Sequence, residues 1–424
     1  MSLALRREST PILEEIVRDI ITEELHDIQK ITSQPNEKLA ALVKAGSTLW
    51  LDTGDAAAAA SVWASEFTGL TTNNTLVNQV VQTGYLDSLI MRAAKAIRTE
   101  APSISPEDLV AEIGFIANAR LANTLIKQFG VKVSVELHPR VARDIENTVE
   151  LGKRYFALNP DWYIIKVPLT PEGYLAVRKL SDDGIPVNYT LGFSARQNYL
   201  ASHLSMPAYV NVFLGRLNQV AADNKLSDGR NIGEKVCLAS QKAITQARTE
   251  NTAIPTKQIA ASLRSGKQCL TLAGVDVHTI PPKAANEFLE SIPATDKIEA
   301  NLDADLPVVF DDGKTAEELG FEMLWTLDEA FCKFAKQAAA QSSALVNGKD
   351  LVELAADCGV ADLFYPFTES DLKQITDDGK IPVLARWIDR PVALDDLMTV
   401  SALQSFSKDQ AALDARILDL AGKA

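Results

Sequence analysis

Cysteine and histidine are both scarce, with four of each in 424 residues. Cys237, Cys269, Cys332 and Cys358 have no C-x-x-C spacing, which excludes a cysteine zinc site and leaves reduced thiols at packing positions as the expectation. His26, His138, His203 and His278 are equally dispersed, and no pair has the spacing of metal ligands. No apolar run approaches the roughly 18 residues of a membrane span. Met1 to Ser9, followed by an acidic helix, lacks a secretory apolar region, so a cytoplasmic location is expected. Basic residues are outnumbered 42 to 56, and the net charge of -14 argues against general binding to nucleic acid or to an anionic membrane. A phosphate-bearing substrate would need local cations working against that field. Low-complexity linkers and short internal repeats are missing too.

What is present is an ordinary globular composition, 46% apolar and 23% charged. The length could hold two or three average domains, but an α/β barrel commonly spends about 250 residues on one. Ile12, Leu13, Ile16, Val17, Ile20, Ile21, Leu25 and Ile28 form a helical stripe over Pro11 to Lys30, read as an N-terminal docked helix. From Ser47 the pattern becomes alternating. Short β-rich runs at 47–52, 69–73, 131–137, 161–167, 185–191, 208–213, 257–262 and 275–280 are separated by helical stretches. Asp55 reads as the cap of an alanine-rich helix through Glu66, and two helices are expected between the second and third strands, the later one capped at Ser105. A helix is expected from Val141 to Lys153 and another from Ala195 to His203. Eight strand candidates alternating with helices is the count of a (β/α)8 TIM barrel. Beyond about Glu290 the alternation fails. Helical patterns over 316–340, 348–358 and 395–420, with an aromatic loop at Leu363 to Phe367, read as a C-terminal helical extension. The expected division is 1–46 as an N-terminal helical segment, 47–290 as the barrel and 291–424 as the extension packed on it.

The fourth strand is the most informative. Asp161-Trp-Tyr-Ile-Ile-Lys166-Val-Pro-Leu-Thr-Pro-Glu-Gly173 delivers one lysine from an apolar run and then turns into a helix. Burial disfavours a charged amine, so a lysine there must be paired, neutral or at the strand's end. Pro168 and Pro171 break the ladder, and Thr170 with Pro171 reads as a helix start. Barrel enzymes work at the C-terminal ends of their strands. Those ends carry Asp52, Asn73, Glu136, Lys166, Asn188 with Thr190, Asn211 with Phe213 and Arg216, and Ser262 with Arg264. Loops and caps favour Asn, Asp and Ser, so one or two such residues would mean little; this many in register point to a site. One lysine with two carboxylates and no metal cluster suggests amine catalysis on a carbonyl. The two arginines could clamp a phosphate.

At these residues the chain resembles the transaldolases, class I aldolases that form a Schiff base inside a (β/α)8 barrel. The matching pieces run in family order: Leu51-Asp-Thr-Gly54, Thr71-Thr-Asn73, Glu136-Leu-His-Pro-Arg140, Ile165-Lys-Val-Pro168 with Glu172-Gly173, Gly184-Ile-Pro-Val-Asn-Tyr-Thr-Leu-Gly-Phe-Ser194, Phe213-Leu-Gly-Arg216, Ala261-Ser-Leu-Arg264 and Thr279-Ile-Pro-Pro-Lys283. The resemblance implies that Lys166 forms the imine, that Asp52 takes the proton when the carbon chain is cut, and that Glu136 with Thr190 holds a proton-shuttling water. Asn73 and Asn188 would then bind the dihydroxyacetone unit, with Asn211 and Phe213 beside them, and Arg216, Arg264 and Ser262 the phosphate. Small sugar phosphates are the implied substrates, within the non-oxidative pentose phosphate pathway, and neither cofactor nor metal is implied.

Three positions depart from the family pattern. Asn74 stands where proline usually follows Thr-Thr-Asn, Asn211 where serine is usual, and Gly192 where a large apolar residue precedes Phe-Ser. Two other readings compete. Aldolases that cleave fructose 6-phosphate generally carry Tyr and Gln where this chain has Phe213 and Glu136, which favours transfer over cleavage here. A non-catalytic barrel used for binding would have no need of Lys166, Asp52, Glu136 and Thr190 together. His138 and His278 read as structural. The tail beyond about residue 360 is expected to cover the barrel mouth or to make a contact between subunits, so a homo-oligomer stays open.

Overall fold

The computed structural model describes residues 10–23, 25, 28–292 and 297–424. His26 and the first nine residues, part of the sequence expectations above, lie outside them. Eight parallel strands close into one barrel in sequence order: β1 Thr48–Asp52, β2 Phe67–Thr71, β3 Lys132–Glu136, β4 Tyr163–Pro168, β5 Val187–Thr190, β6 Tyr209–Phe213, β7 Lys257–Ala261 and β8 Val277–Ile280. The (β/α)8 architecture expected from the pattern is the one found. Most strands are a residue or two shorter than their β-rich runs, mainly at the N-terminal end; β2 lies two residues earlier than expected, and β4 runs on through Pro168, which pairs with Thr190 instead of breaking the ladder.

Period-two alternation builds the inside of the barrel in layers. Trp50, Ile164, Ile259, Ala261 and Val277 form an apolar cluster separate from the main core, with Tyr209 and Phe213 against it. Trp50 meets Tyr209 edge to face at 4.8 Å. Gly69 makes room for this plug, since a β-carbon there would sit 2.7 Å from the indole ring of Trp50. Two residues further along the strands, Trp50 gives way to Asp52 and Ile164 to Lys166, and the layer becomes polar. Pairing sets Glu136 of β3 beside Lys166 of β4, and Lys166 beside Asn188 of β5.

Caps fix where the helices begin. The Thr170 hydroxyl accepts from the Gly173 N–H at 2.9 Å, with Pro171 in the first turn, so the helix Pro171–Asp182 starts three residues after β4. Ser105 caps Pro106–Phe129 in the same way. That helix is long and apolar enough to match a membrane span, unlike the sequence expectation, but 72% of its apolar window is buried inside the fold.

Several expected boundaries are corrected. The Asp55-capped helix is only Ala56–Ala60, because the chain turns back at Ser61 to enter β2. Three helices, Asn74–Gln82, Asp87–Glu100 and Pro106–Phe129, separate β2 from β3, with an additional break around Gly84 at φ +85°. The helix expected from Val141 begins at Ile145, where Asp144 caps it, after a short 3-10 turn at Pro139–Val141. The expected run over 316–340 is a 3-10 turn, Glu322–Leu324, and a helix, Glu329–Ala340, whose cap is Asp328. A second N-terminal helix, Glu37–Lys44, and a helix Glu369–Asp378 in the extension were not anticipated.

The C-terminal helix Leu394–Ala421 crosses toward the strand ends. Its first ten residues, 394–403, are all buried, the mark of a helix surrounded on every side. Asp395, fully buried, holds it down. Its Oδ2 accepts from Ser194 Oγ at 2.7 Å and Arg196 Nε at 2.8 Å; its Oδ1 accepts from Arg196 Nη2 at 2.9 Å and the Asp396 N–H at 3.0 Å. Thr399 adds a bond to the carbonyl of Leu191 and takes one from Gln197. The helix is thereby tied to the loop that follows β5.

Candidate functional site

The strand ends surround a cavity of about 180 Å³ lined by Asp52, Asn73, Lys166, Asn188, Asn211, Phe213, Arg216, Ser262 and Arg264, among others. Nine of the eleven residues singled out in the sequence therefore share one space. Glu136 and Thr190 do not line it. Each sits beside the lysine strand, Glu136 opposite Lys166 and Thr190 opposite Pro168.

Lys166 is 4% exposed, so its amine has few possible partners. Nζ donates to the carbonyl of Thr72 at 3.2 Å and lies 3.9 Å from Glu136 Oε2. Burial raises the Glu136 carboxyl above the ordinary carboxylate value, and the nearby Asp52 adds to this; Lys166 and the Asn74 N–H act the other way. Asp52 accepts from the Thr71 hydroxyl at 2.7 Å, and Thr71 in turn meets Thr279 at 2.6 Å. Its carboxyl is also raised by burial, against the pull of Lys166 and of the Thr71 bond. Two carboxylates and one amine thus share a poorly hydrated space.

Three buried polar atoms here have no hydrogen-bond partner among the described residues: Glu136 Oε1, Asn188 Oδ1 and Thr190 Oγ1. Buried acceptors left open are uncommon, and they gather where a water or a ligand would complete them. Asn188 is held by its other side, Nδ2 donating to Ser134 Oγ at 3.1 Å. Asn73 is partly committed, since its Oδ1 caps the helix Asn74–Gln82 by accepting from the Leu76 N–H. Asn211 is more fully committed. Its Nδ2 donates to the Tyr189 carbonyl at 2.5 Å and its Oδ1 accepts from the Gly192 N–H at 3.3 Å. Gly192 allows this closeness, because a β-carbon there would lie 2.2 Å from the Asn211 carbonyl oxygen. Two of the departures noted in the sequence, Asn211 and Gly192, are therefore one packing arrangement.

The cavity also has two cations in its lining. Arg216 follows β6 and is nearly buried, and burial together with the neighbouring Arg264 lowers its guanidinium to about 10. Two like charges converge because Gly215 lets the loop after β7 come close: a β-carbon there would be 2.2 Å from the Ser262 carbonyl and 2.8 Å from Arg264 Nε. Ser262 adopts a left-handed φ of +63° to make that approach, a conformation costly for a residue with a side chain and common at ligand sites. Arg264 is exposed at the rim.

The extension supplies residues the sequence reading missed. Lys380, Phe406 and Asp409 line the same cavity. Arg216 Nη1 donates to the Lys380 carbonyl at 3.3 Å, and the guanidinium lies 5.6 Å from the centre of the Phe406 ring. Phe406 also faces Phe213, and Asp409 accepts from Thr75 Oγ1 at 2.5 Å. Nothing in the spacing of these residues points to the strand ends. His138 lies away from the cavity with Asp414, and His278 is buried against Ser47 and the Leu272 carbonyl, with burial lowering it to about 4. Among the described residues no group of histidine, cysteine and carboxylate side chains is arranged to hold a metal.

A closed parallel barrel whose polar groups collect at the strand ends around one buried lysine is the build of a barrel enzyme. The chain belongs to the transaldolase/fructose-6-phosphate aldolase family, whose pattern it matches over residues 49–343; it is an enzyme of the transferase type. It is similar to a probable transaldolase of Thermus thermophilus, 30% identical over 230 residues, which are 54% of this chain and 83% of that protein. A probable transaldolase of Kosmotoga olearia is 36% identical over 159 residues, 37% of this chain and 65% of the relative. One of Agathobacter rectalis is 34% identical over 172 residues, 40% and 71% of the two chains. Lys380, Phe406 and Asp409 all come from beyond the segment that matches the family.

Proposed function

We propose that this protein is a transaldolase that moves a dihydroxyacetone unit from a ketose phosphate, such as sedoheptulose 7-phosphate or fructose 6-phosphate, to an aldose phosphate through an imine on Lys166. The observation that carries this reading is the make-up of one cavity: a buried amine, Asp52 and two arginines line it, and Glu136 lies 3.9 Å from the amine.

In this reading the Lys166 amine adds to the ketone carbon, and loss of water leaves an iminium. Glu136 and Thr190, with their open acceptor atoms, hold the water through which protons move in that step and in the final hydrolysis. Asp52 takes the proton of the hydroxyl on the fourth carbon. The bond between the third and fourth carbons breaks, its electron pair neutralises the iminium as an enamine, and the outgoing piece leaves as an aldehyde. The enamine then attacks an acceptor aldehyde, Asp52 returns the proton, and hydrolysis frees Lys166. Asn73, Asn188 and Asn211 position the three-carbon unit, and Arg216, Arg264 and Ser262 bind the phosphate, joined by Lys380 from the extension. Phe213 has no hydroxyl with which to protonate the enamine, so the intermediate waits for an acceptor. This favours transfer over simple aldol cleavage. The division into an N-terminal segment to 46, a barrel over 47–290 and an extension over 291–424 belongs to the same proposal, as does action in the non-oxidative pentose phosphate pathway of the cytoplasm.

Borohydride reduction with fructose 6-phosphate, followed by peptide mass spectrometry, should find a three-carbon adduct on Lys166. An adduct on another lysine, or none, overturns the mechanism. Turnover of fructose 6-phosphate that requires erythrose 4-phosphate separates transfer from cleavage.

A further inference from the structure

The first N–H groups of a helix have no partner within it and must be satisfied elsewhere. In the helix Asn74–Gln82, the Asn73 side chain takes the Leu76 N–H, and the N–H of Asn74 is among those left over. That N–H donates to Glu136 Oε2 at 3.2 Å. Asn74 is 3% exposed, and its side chain holds it there by donating from Nδ2 to the Leu137 carbonyl at 3.1 Å, one residue past Glu136. The residue therefore grips the end of β3 twice, once at the carboxylate and once at the backbone. The carboxylate's other oxygen, Oε1, is left without a partner among the described residues.

We propose that Asn74 is a positioning residue for Glu136: its backbone N–H fixes one carboxylate oxygen and supports the ionised form, leaving the second oxygen free to carry a proton. This rests on the reading above in that Glu136 is taken to move protons for Lys166. Proline, the residue the family resemblance leads one to expect here, has no N–H to give. Asparagine at this position thus gives the acid–base group a donor that proline could not supply. The charged and titratable groups acting on Glu136 are Lys166 from β4, Asp52 from β1 and Arg216 after β6. Two of these are cations that already favour the carboxylate, and the Asn74 bond acts with them against burial and Asp52.

The position allows a clean test. Proline is well accepted at the first residue of a helix, and the residue before it must be extended; Asn73 is extended, at φ -157° and ψ 167°. N74P should therefore fold while deleting the N–H, whereas N74A deletes the side-chain amide and keeps the N–H. A hydrogen bond to the ionised form holds a carboxyl pKa down, so its loss raises the pKa. The acidic limb of the pH profile for imine formation on Lys166, followed by reductive trapping, should move to higher pH by about one unit in N74P. In N74A, which keeps the N–H but loses the side-chain bond to Leu137, it should move less than in N74P. An N74P limb coincident with the wild type overturns the proposal.

A second measurement does not depend on turnover or on N74P folding. In protein labelled with ¹⁵N at asparagine, the Asn74 amide, assigned from its loss in N74A, should shift with pH, and the shift should vanish in E136Q. An Asn74 amide that is pH-invariant, or that titrates unchanged in E136Q, overturns the proposal whatever the enzyme's activity. Absence of any Lys166 adduct in the wild type would instead count against the proposed function.

Discussion

Two buried carboxylates, Glu136 at the end of β3 and Asp395 at the start of the C-terminal helix, have opposite surroundings. Asp395 accepts four hydrogen bonds, two of them from the Arg196 guanidinium, and neither of its oxygens is left open. Glu136 has one backbone donor, a cation 3.9 Å away and one oxygen with no partner among the described residues. Both are almost completely shielded from water. A fully satisfied buried ion has one stable protonation state and one geometry, which suits an anchor. An incompletely satisfied one is easily moved between states by its neighbours, which suits proton transfer. The contrast belongs to these two carboxylates, since the extension has open buried atoms of its own at Trp387 Nε1, Ser401 Oγ and Arg416 Nε.

The sharpest way to break this comparison is at the barrel end. K166A should lower the rate of transfer by on the order of 10⁵-fold, the scale seen when a nucleophile is removed from an otherwise intact site. D52N should cost less, about 10²–10⁴-fold, as loss of a single acid–base group. Steady-state rates with the ketose donor and aldose acceptor measure both. A K166A enzyme retaining a tenth of wild-type activity would move the chemistry away from β4.

At the extension the expected loss is of stability rather than of chemistry. D395A leaves the Arg196 guanidinium buried with only Asp362, 2.8 Å away, as a carboxylate partner. Breaking a buried pair from one side costs about 3–5 kcal/mol, read as a lowered urea midpoint. Because this pair ties the C-terminal helix to the loop after β5, the enzyme that remains folded should also bind substrate less tightly. An unchanged midpoint would mean that the helix is held mainly by its apolar contacts.

The proposed phosphate site joins the two regions, since Arg216 and Arg264 come from the barrel and Lys380 from the extension. R216A should raise KM about 10–100-fold, as loss of one or two charge-assisted hydrogen bonds of about 1.5–3 kcal/mol predicts. K380A should raise it less, because this lysine is exposed and screened. Equal effects would place the extension on a par with the barrel in binding.

The barrel was legible because its rules are local. Period-two alternation marked the strands, four of which end in a polar residue, Asp52, Thr71, Glu136 and Thr190, and Thr170, Ser105 and Asp55 announced the helices that follow. Lys166, Asp52, Glu136 and the arginines could be singled out because a strand's C-terminal end is a fixed address in such a fold. Lys380, Phe406 and Asp409 had no address. They lie well over a hundred residues beyond β7, and the helix carrying two of them is buried on all sides through its first turns, so its pattern names no face. The helix Glu369–Asp378 escaped notice for the opposite reason, having few apolar residues, although Thr368 and Asp371 form a capping box at its start. The tight turn between the helices Asn74–Gln82 and Asp87–Glu100 was hidden inside one continuous helical pattern.

The smallest expected effect is also the one that tests the comparison inside the extension itself. Asp396 neighbours Asp395 but is satisfied differently: it accepts from the Tyr365 N–H at 2.6 Å, and burial, reinforced by Asp395, holds its carboxyl well above the ordinary value despite Arg143 and Arg196. A carboxyl whose folded value is raised binds its proton more tightly in the fold than in the unfolded chain. Its contribution to stability is complete below about pH 4 and is lost as pH rises toward the folded value, at about 1.4 kcal/mol per unit of difference. D396N has no proton to lose, and its side-chain oxygen can still accept from Tyr365. The stability of D396N relative to wild type should therefore be smallest near pH 3.5 and increase by about 1 kcal/mol or more toward pH 7, measured as the difference in urea midpoints. A difference that does not change with pH would mean that the Asp396 carboxyl titrates in the fold as it does in the unfolded chain.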